Sequence, residues 1–351
     1  MTTSNEPQSA LPGIDIPRVT AWIEGHVAGS RPPFGFELIP AGHSNITFKV
    51  TDARGERYVL RRPPLGAVLA TAHDMGREFK IISALGPTRV PVPPALGLCT
   101  DEAVNGAPFY VMGFVDGHVL VETADSERHF SAAERRSIAE SLIQVLADLH
   151  AVDPDAVGLG DLGKKEAYIA RQIKRWRKQW EGSKTRELEA METVAVALEA
   201  HIPEQLGATI VHGDFRLGNC ITGPDARIAA VLDWELCTLG DSMADVGYIL
   251  NDWVEPGEAP FGSLTRPGPS AAPGFLRRAE MLDAYQRLSG RTVRNVDYYR
   301  AFQYWRLAAI AEGVLARFLK GVMGKEADTD GMRKRVESLA NAALALTREF
   351  Q

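Results

Sequence analysis

Three oxygen-bearing side chains in the middle of the chain could carry metal-dependent chemistry on a phosphate. Asp214 and Asn219 lie five positions apart, and Asp233 follows the apolar run 228–232. Turn-forming residues at 223–225 favour a hairpin that returns Asp233 beside Asn219, with Asp214 on the loop before it. Mg²⁺ prefers carboxylate and amide oxygens, and it is usually bound through one or two protein groups together with substrate phosphates. A further carboxylate that does not bind the metal can accept a proton from an attacking hydroxyl.

The spacing of Asp214 and Asn219 is the Asp-x-x-x-x-Asn of the kinase catalytic loop, and Asp233 occupies the position of the kinase metal-binding aspartate. With His212 and a glycine before Asp214, the segment resembles the His-Gly-Asp loop of the aminoglycoside phosphotransferase and choline kinase-like family. The resemblance extends over residues 35–320. It implies an ATP-dependent phosphotransferase in which Asp214 activates or orients the acceptor hydroxyl, while Asn219 and Asp233 hold Mg²⁺.

The N-terminal third of the chain carries the nucleotide-binding elements that this family implies, in the expected order. They are a turn over the phosphates, a cation on the third strand, an acidic partner on the next helix and a strand that receives adenine. Arg61 replaces the usual Lys, and alternation along the strand favours it over Arg62, because Arg61 shares a face with Val59. The resemblance implies a nucleotide site formed by Gly42, Ser44, Asn45, Arg61, Glu78, Met112 and Phe114.

Residues on either side of the loop are expected to support it. By the same resemblance, Asp241 and Asp245 brace the loop, and His212 is interpreted as a hydrogen-bonded structural residue. Asp241 could equally be the N-cap of a helix that begins near Ser242. The segment from Asp233 to Asp241 is too short for a long activation loop, so no phosphorylation switch is expected.

The apolar runs predict an α+β protein of two lobes, and the resemblance implies the protein-kinase-like fold. After a flexible tail at 1–13, a small lobe at 14–115 holds a five-stranded sheet and one main helix. A mainly helical lobe at 116–351 carries the catalytic loop and the acceptor site. The strands are predicted at 36–40, 46–50, 58–61, 95–98 and 108–115, the main helix at 73–85, further helices at 131–150, 165–180 and 187–201, and a lid or loop at 255–274.

Composition excludes several classes of protein. The 351 residues carry 39 Lys and Arg against 45 Asp and Glu, and the resulting net charge of −6 argues against a general nucleic-acid-binding protein. Three cysteines without a Cys-x-x-Cys pair favour reduced, buried thiols. We identify no signal peptide and no apolar run of about 18 residues. We therefore expect a cytoplasmic protein that binds neither nucleic acid nor membrane.

A second resemblance narrows the family. The segments 171–176, 212–219 and 232–241 resemble phosphotransferase-like domains that occur fused to, or beside, acyl-CoA dehydrogenases, although Gly218 stands where this branch often has Asp. Residues 161–186 carry nine Lys or Arg and three Asp or Glu, which indicates either a solvated helix face or a rim that binds an anion. Charge and resemblance together favour a hydroxyl on an anionic metabolite, for instance a hydroxyacyl-CoA, over a polycationic aminoglycoside.

Two other functions stay open, namely an aminoglycoside-type antibiotic kinase and a non-catalytic nucleotide-binding pseudokinase. The presence of Asp214, Asn219 and Asp233 together argues against the pseudokinase. A metallophosphatase is excluded, because Asp148 and His150 lie two positions apart on a predicted helix and point to nearly opposite sides. The candidate acceptor-contacting residues are Lys174, Arg175, Arg216, Trp234 and Glu235.

Overall fold

The computed structural model describes residues 11–40, 45–65, 74–258, 268–321 and 328–350. The chain folds into two compact units. Unit 1 takes in the chain up to Asp116 together with Leu232–Glu235, and unit 2 comprises Gly117–Val231 and Leu236–Gln351. The segment 232–235, which the sequence analysis assigned to the helical lobe, thus joins unit 1. Gly42 and Ser44 lie outside the described residues, as do residues 259–267 of the predicted lid.

Unit 1 is built on a five-stranded antiparallel sheet, as the apolar runs predict. Its strands are β1 (Gly35–Ile39), β2 (Ile46–Thr51), β3 (Arg57–Arg62), β4 (Ala95–Cys99) and β5 (Phe109–Gly113), in the order β1-β2-β3-β5-β4. Its helices are α1 (Ile16–His26), the predicted main helix α2 (Met75–Leu85) and the short α3 (Glu102–Asn105).

Alternation along β3 decides which side chains of this strand face the core. Tyr58 and Leu60 belong to the apolar cluster that joins the sheet to α1, and Leu60 is fully buried. Val59 and Arg61 therefore lie on the opposite face, since neighbouring side chains of a strand alternate. Tyr110 of β5 is directly opposite Arg61 in the antiparallel register, so its side chain lies on the same face as Arg61.

Unit 2 is mainly helical, as expected. Its helices are α4 (Thr123–His129), α5 (Ala132–Ala151), α6 (Tyr168–Ser183), α7 (Glu189–Ala200), α8 (Met243–Asp252), α9 (Arg278–Ser289), α10 (Val296–Leu319) and α11 (Thr329–Thr347). Its short strands are β6 (Thr209–Val211), β7 (Cys220–Thr222), β8 (Ile228–Val231) and β9 (Thr238–Gly240). Within the described residues, no helix has the length and apolar character that crossing a membrane requires.

Two strand pairs hold the ends of the loop between β6 and β7. The turn at 223–225 joins β7 to β8, and Cys220 pairs with Val231 in this antiparallel hairpin. β6 pairs with β9 instead, a pairing that the sequence analysis did not predict. The loop 212–219 therefore starts and ends on hydrogen-bonded strands, which limits where its side chains can lie.

Element boundaries differ from the prediction where the backbone turns. Helix α6 begins at Tyr168 rather than at 165, because Ala167 has a φ of 46° and cannot continue a right-handed helix. Helix α4 was not predicted, since its seven residues, six of them polar, show no apolar periodicity. A capping box begins α5, with Ser131 N–H donating to the Glu134 carboxylate (2.7 Å).

Candidate active site

A buried carboxylate on α8 anchors the loop between β6 and β7. Asp245 is fully buried, and its oxygens accept hydrogen bonds from the backbone N–H groups of His212 (2.7 Å) and Gly213 (2.8 Å). His150 Nε2 lies 3.3 Å from the same carboxylate, and His150 Nδ1 lies 2.7 Å from the Tyr285 hydroxyl. Burial raises the pKa of Asp245, but the hydrogen bonds outweigh burial and hold that pKa below its usual value. Asp245 therefore stays charged and fixes the start of the loop.

The His-Gly-Asp sequence is required by the conformation of this loop. Gly213 has a φ of 84°, and a Cβ there would lie 3.0 Å from the backbone oxygen of Leu236. Glycine alone adopts this conformation without strain, so it allows both N–H groups to reach the anchoring carboxylate. His212 is fully buried, and its Nδ1 accepts a hydrogen bond from Asp214 N–H (3.2 Å). These contacts fit the structural interpretation of His212.

Polar groups hold the Asp214 carboxylate at both of its oxygens. Asn219 Nδ2 donates to Asp214 Oδ2 (2.6 Å) and to the backbone oxygen of Asp214 (2.8 Å). The Tyr248 hydroxyl, on α8, donates to Asp214 Oδ1, and Arg216 Nε lies 3.6 Å from that oxygen. The side chain of Asp214 is 23% exposed, so this well-positioned carboxylate remains accessible to a hydroxyl that has a proton to give up.

Asn219 and Asp233 each carry an oxygen donor of the kind that hard divalent cations prefer. Because Asn219 Nδ2 is turned toward Asp214, the described residues supply no donor to Asn219 Oδ1. Asp233 has a φ of 64°, an uncommon conformation for a residue with a side chain and one that clusters at functional sites. Within the described ranges, no group of three or more His, Cys, Asp or Glu side chains is arranged to hold a metal. The expected Mg²⁺ site would use one carboxylate and one amide, as Mg²⁺ does when phosphate supplies other ligands.

In unit 1, Arg61 joins two carboxylates. Arg61 Nε lies 3.0 Å from Glu78 Oε2, and Arg61 Nη2 donates to Asp233 Oδ1 (2.6 Å). Glu78 also accepts hydrogen bonds from the Tyr110 hydroxyl (3.0 Å) and Asn45 Nδ2 (3.2 Å). Burial disfavours the charged guanidinium, but Glu78, Tyr110 and Asp233 outweigh burial and raise the pKa of Arg61. Arg61 therefore keeps its positive charge, and the two carboxylates hold its guanidinium in one place.

The neighbouring residue, Arg62, points away from this cluster. Arg62 Nε donates to the backbone oxygen of Pro63 (3.1 Å), and its Nη1 donates to the backbone oxygen of Gly13. Met112 is buried in β5, and the ring of Phe114, just beyond this strand, lies 4.5 Å from the Arg57 guanidinium. The role of Met112 and Phe114 in binding adenine stays a prediction.

Asp241 contacts the start of α8 and α10. Its Oδ1 accepts a hydrogen bond from the backbone N–H of Met243 (3.0 Å), and its Oδ2 accepts one from the Tyr299 hydroxyl (2.7 Å). The first contact is of the capping type, and the second ties α8 to α10. Asp241 thus supports the helix that carries Asp245, whereas Asp245 itself contacts the loop.

A cleft of about 610 Å³ in unit 2 opens beside Asp214 and Tyr248. Its aliphatic lining residues are Val121, Val254, Leu307 and Leu339, and its other charged lining residues are Glu122, Arg216, Asp252 and Arg335. Burial raises the pKa of Asp252, and nearby Asp214 raises it further against the opposing effect of Arg216. Arg335, on α11, is exposed, and its charge acts with that of Arg216 to oppose the raised pKa of Asp252.

The candidate acceptor-contacting residues do not all lie at this cleft. Arg216 lines it, whereas Lys174 lines a separate groove of about 490 Å³ along α6. The Arg175 guanidinium lies over the ring of Trp176, 5.1 Å from its centroid. Trp234 is buried, and with Glu235 it belongs to the segment of unit 1 that carries Asp233.

Comparison with known proteins identifies the family. The model of the phosphotransferase enzyme family matches residues 35–291. The chain belongs to this family. It is 36% identical to a Ralstonia eutropha protein assigned to the aminoglycoside phosphotransferases, with a TM-score of 0.82 over 96% of this chain and 99% of that one. Choline kinase from Cryptosporidium parvum, at 12% identity, has a TM-score of 0.62 over 95% of each chain and shows the shared fold alone. The predicted kinase-like α+β fold is confirmed.

The relatives also include proteins named for acyl-CoA dehydrogenation, as the second resemblance predicts. Acyl-CoA dehydrogenase family member 10 from Mus musculus is 38% identical over 256 residues, which cover 72% of this chain and 24% of the relative. The chain therefore spans about a quarter of that relative's length. The family and its neighbours support a small-molecule phosphotransferase.

Sequence reasoning missed Tyr248 and Arg335. Tyr248 lies three positions after Asp245 on α8, so the two side chains share a helix face, and this spacing could have indicated Tyr248. Arg335 is far from the loop in the sequence, on the last helix, and no local pattern marks it.

Replacing the loop anchor should destabilise the protein in a pH-dependent way. Asp245→Asn is expected to lower the free energy of unfolding at pH 7 by about 1–3 kcal/mol, because buried N–H groups lose a charged acceptor. The lowered folded-state pKa means that the contribution of Asp245 is present above its unfolded value near 3.8 and is lost as pH falls through the folded value. Urea unfolding from about pH 5 to pH 2 should therefore show a shallower decline for Asp245→Asn than for the wild type.

Asp283→Asn, on the exposed side of α9, is the matched control and should follow the wild type at every pH. If the free energy of unfolding declined equally with falling pH in Asp245→Asn and in the wild type, the result would contradict the anchoring role of Asp245.

Proposed function

We propose that the protein transfers the γ-phosphate of ATP to a hydroxyl group of an anionic small molecule, such as a hydroxyacyl-CoA. The observation that carries the proposal is the position of Asp214, whose carboxylate is fixed by Asn219 and lies beside a cleft of metabolite size. A hydroxyl bound there would give its proton to Asp214 as its oxygen bonds to the γ-phosphorus. The bond from that phosphorus to the bridging oxygen would break, and ADP would leave.

Residues of unit 1 support the nucleotide side of the proposal. Arg61, held by Glu78, would pair with the α- and β-phosphates, in the role that the family usually gives to Lys. The segment 42–45, a predicted turn of which 42–44 lie outside the described residues, would cover the phosphates, and the strand with Met112 and Phe114 would receive adenine. Bound Mg²⁺ would neutralise charge on the phosphate oxygens.

Asn219 and Asp233 are the proposed Mg²⁺-holding residues. In this assignment, the segment that carries Asp233 contributes one oxygen ligand and the end of the loop contributes the other. The nucleotide-binding role of unit 1 and the acceptor-binding role of unit 2 are part of the same proposal.

One cation of the cleft, Arg335, is the proposed contact for an anionic acceptor, although three carboxylates also line the cleft. Arg335 is an exposed guanidinium at a cleft whose wall also carries Leu307 and Leu339. A carboxylate or phosphate would pair with this cation while an acyl chain packs on the leucines. The acyl-CoA dehydrogenase name of the mouse relative supports a link to acyl-CoA metabolism.

An aminoglycoside-type antibiotic kinase is the second candidate, because Glu122 and Asp252 also line the cleft and could bind ammonium groups. Burial raises the pKa of Asp252, however, which weakens it as a site for a polycation. Turnover of ATP over a panel of hydroxy acids, their CoA thioesters and aminoglycosides would separate the two candidates.

Removing the proposed base should abolish most of the transfer. Asp214→Ala is expected to lower kcat by about 10²–10⁴-fold with any acceptor found by the panel, the usual effect of losing a positioned base. Asp225→Ala, in the exposed turn between β7 and β8, is the control and should retain wild-type kcat. Equal kcat values for Asp214→Ala and Asp225→Ala would contradict the catalytic role of Asp214.

Nucleotide binding should depend on Mg²⁺ and on Asp233. A ligand at 100 times its Kd stabilises a protein by about 2.7 kcal/mol, so MgATP should raise the Tm of the wild type. Asp233→Ala should lose most of this Mg²⁺-dependent shift, whereas Glu24→Ala, an exposed carboxylate on α1, should keep it. The same shift in Asp233→Ala and the wild type would remove Asp233 from the metal site.

Two basic regions could bind an anionic acceptor: Arg335 at the cleft, and Lys174 with Arg175 on α6. Substitutions in the two regions should affect the acceptor KM differently. Arg335→Gln should raise the acceptor KM by about tenfold or more, the effect of losing a hydrogen bond to a charged group, and should reduce the salt dependence of KM. Lys334→Gln, its exposed neighbour on α11, should change neither quantity.

The double variant Lys174→Ala, Arg175→Ala tests the alternative site on α6. If only this variant raises the acceptor KM, the anion binds along α6 and the Arg335 assignment is wrong.

A further inference from the structure

We propose that Tyr248 occupies the proton-accepting oxygen of Asp214 until an acceptor arrives, and so restrains transfer of phosphate to water. The inference rests on the proposed function and adds a positioning residue to it. Its basis is one contact in unit 2: the Tyr248 hydroxyl donates its hydrogen to Asp214 Oδ1. An acceptor hydroxyl must donate to a carboxylate oxygen of Asp214, so Tyr248 and the acceptor compete for the same kind of contact.

Orientation of Asp214 does not require the tyrosine. Asn219 Nδ2 already holds Asp214 Oδ2 and the Asp214 backbone oxygen, and Asp214 N–H donates to His212 Nδ1. The loop itself is fixed by Asp245. With Oδ2 engaged by Asn219, Oδ1 is the oxygen left to receive a proton. Tyr248 donates to this oxygen, and Arg216 Nε lies 3.6 Å from it.

The surroundings of Tyr248 keep its hydroxyl a donor in a fixed place. Tyr248 is buried in α8 at the wall of the cleft, and the Arg306 guanidinium lies 5.8 Å from its ring centroid. Burial raises the pKa of Tyr248, and the negative charges of Asp214 and Asp252 raise it further. The hydroxyl therefore keeps its hydrogen at neutral pH and remains a donor to Oδ1.

Water is the competing acceptor that this contact would restrain. In hydrolysis, a water oxygen bonds to the γ-phosphorus, the bond to the bridging oxygen breaks, ADP leaves, and the proton of the water goes to Asp214 Oδ1. A water molecule gains little binding free energy from contacts with the walls of the cleft. It therefore rarely displaces the Tyr248 hydroxyl from Asp214 Oδ1. An acceptor that fills the cleft has binding energy to do so.

The test measures hydrolysis of MgATP without any added acceptor, in the full chain. Tyr248→Phe removes only the hydroxyl and is expected to raise the rate of hydrolysis by about three- to tenfold, the factor that corresponds to one hydrogen bond. The KM for MgATP should stay unchanged. The double variant Tyr248→Phe, Asp214→Ala should lose the increase, because the increase depends on the freed carboxylate.

Tyr298→Phe is the matched control, since it also removes a buried tyrosine hydroxyl, one that donates to the backbone oxygen of Leu198 (2.8 Å) away from the cleft. Its hydrolysis rate should equal that of the wild type. A merely structural role for Tyr248 would lower hydrolysis, so a rate at or below wild type in a folded Tyr248→Phe overturns the inference.

The outcomes separate this inference from the proposed function. If MgATP stabilises the wild type but Tyr248→Phe hydrolyses no faster, the inference alone fails. If MgATP neither stabilises nor is hydrolysed by any variant, the proposed function fails and the inference with it.

Discussion

The hydrogen bonds from the backbone of His212 and Gly213 to the Asp245 carboxylate determine where the reactive part of the loop can lie. Each bond directs an N–H toward α8, and together they require the left-handed conformation that only glycine adopts freely. Burial of Asp245 makes its charge costly, and the N–H groups with His150 offset that cost. Asp214, one residue beyond this anchor, therefore needs only side-chain contacts to be fixed. The strand pairs on either side of the loop could not by themselves provide this constraint, because β6 ends before the loop and β7 begins after it.

The cluster in unit 1 shows why an arginine can stand where the family usually has a lysine. An ammonium group is a single point of charge, whereas a guanidinium has separate N–H groups in one plane. Arg61 uses Nε toward Glu78 and Nη2 toward Asp233, so one side chain meets two carboxylates at different places. The long side chain of Arg61 also places its positive charge next to the negative charges of both Glu78 and Asp233 within unit 1. An Arg61→Lys change is consequently not conservative at this position.

Short-range patterns predicted most of what the structure shows, and contacts between distant segments account for the rest. The five strands of the sheet follow from short apolar runs between turn residues, and the choice of Arg61 over Arg62 as the partner of Glu78 follows from alternation along β3. The pairing of β6 with β9 joins three-residue strands, which are too short to show a period. The contact of Tyr248 with Asp214 and the place of Arg335 at the cleft depend on how helices pack, which no local spacing encodes.

The glycine at position 218 has a consequence for the charge of the cleft. A Cβ there would lie 2.5 Å from Arg216 Nη1, so a side chain at 218 and the present position of the Arg216 guanidinium are incompatible. The related branch often has Asp at this position, and such a carboxylate would pair with Arg216 and neutralise it. With glycine, Arg216 instead lies 3.6 Å from Asp214 and lowers the pKa of Asp252 against burial. With glycine at this position, no carboxylate of residue 218 competes with Asp214 for the Arg216 guanidinium, and Arg216 remains at the cleft wall beside Asp214.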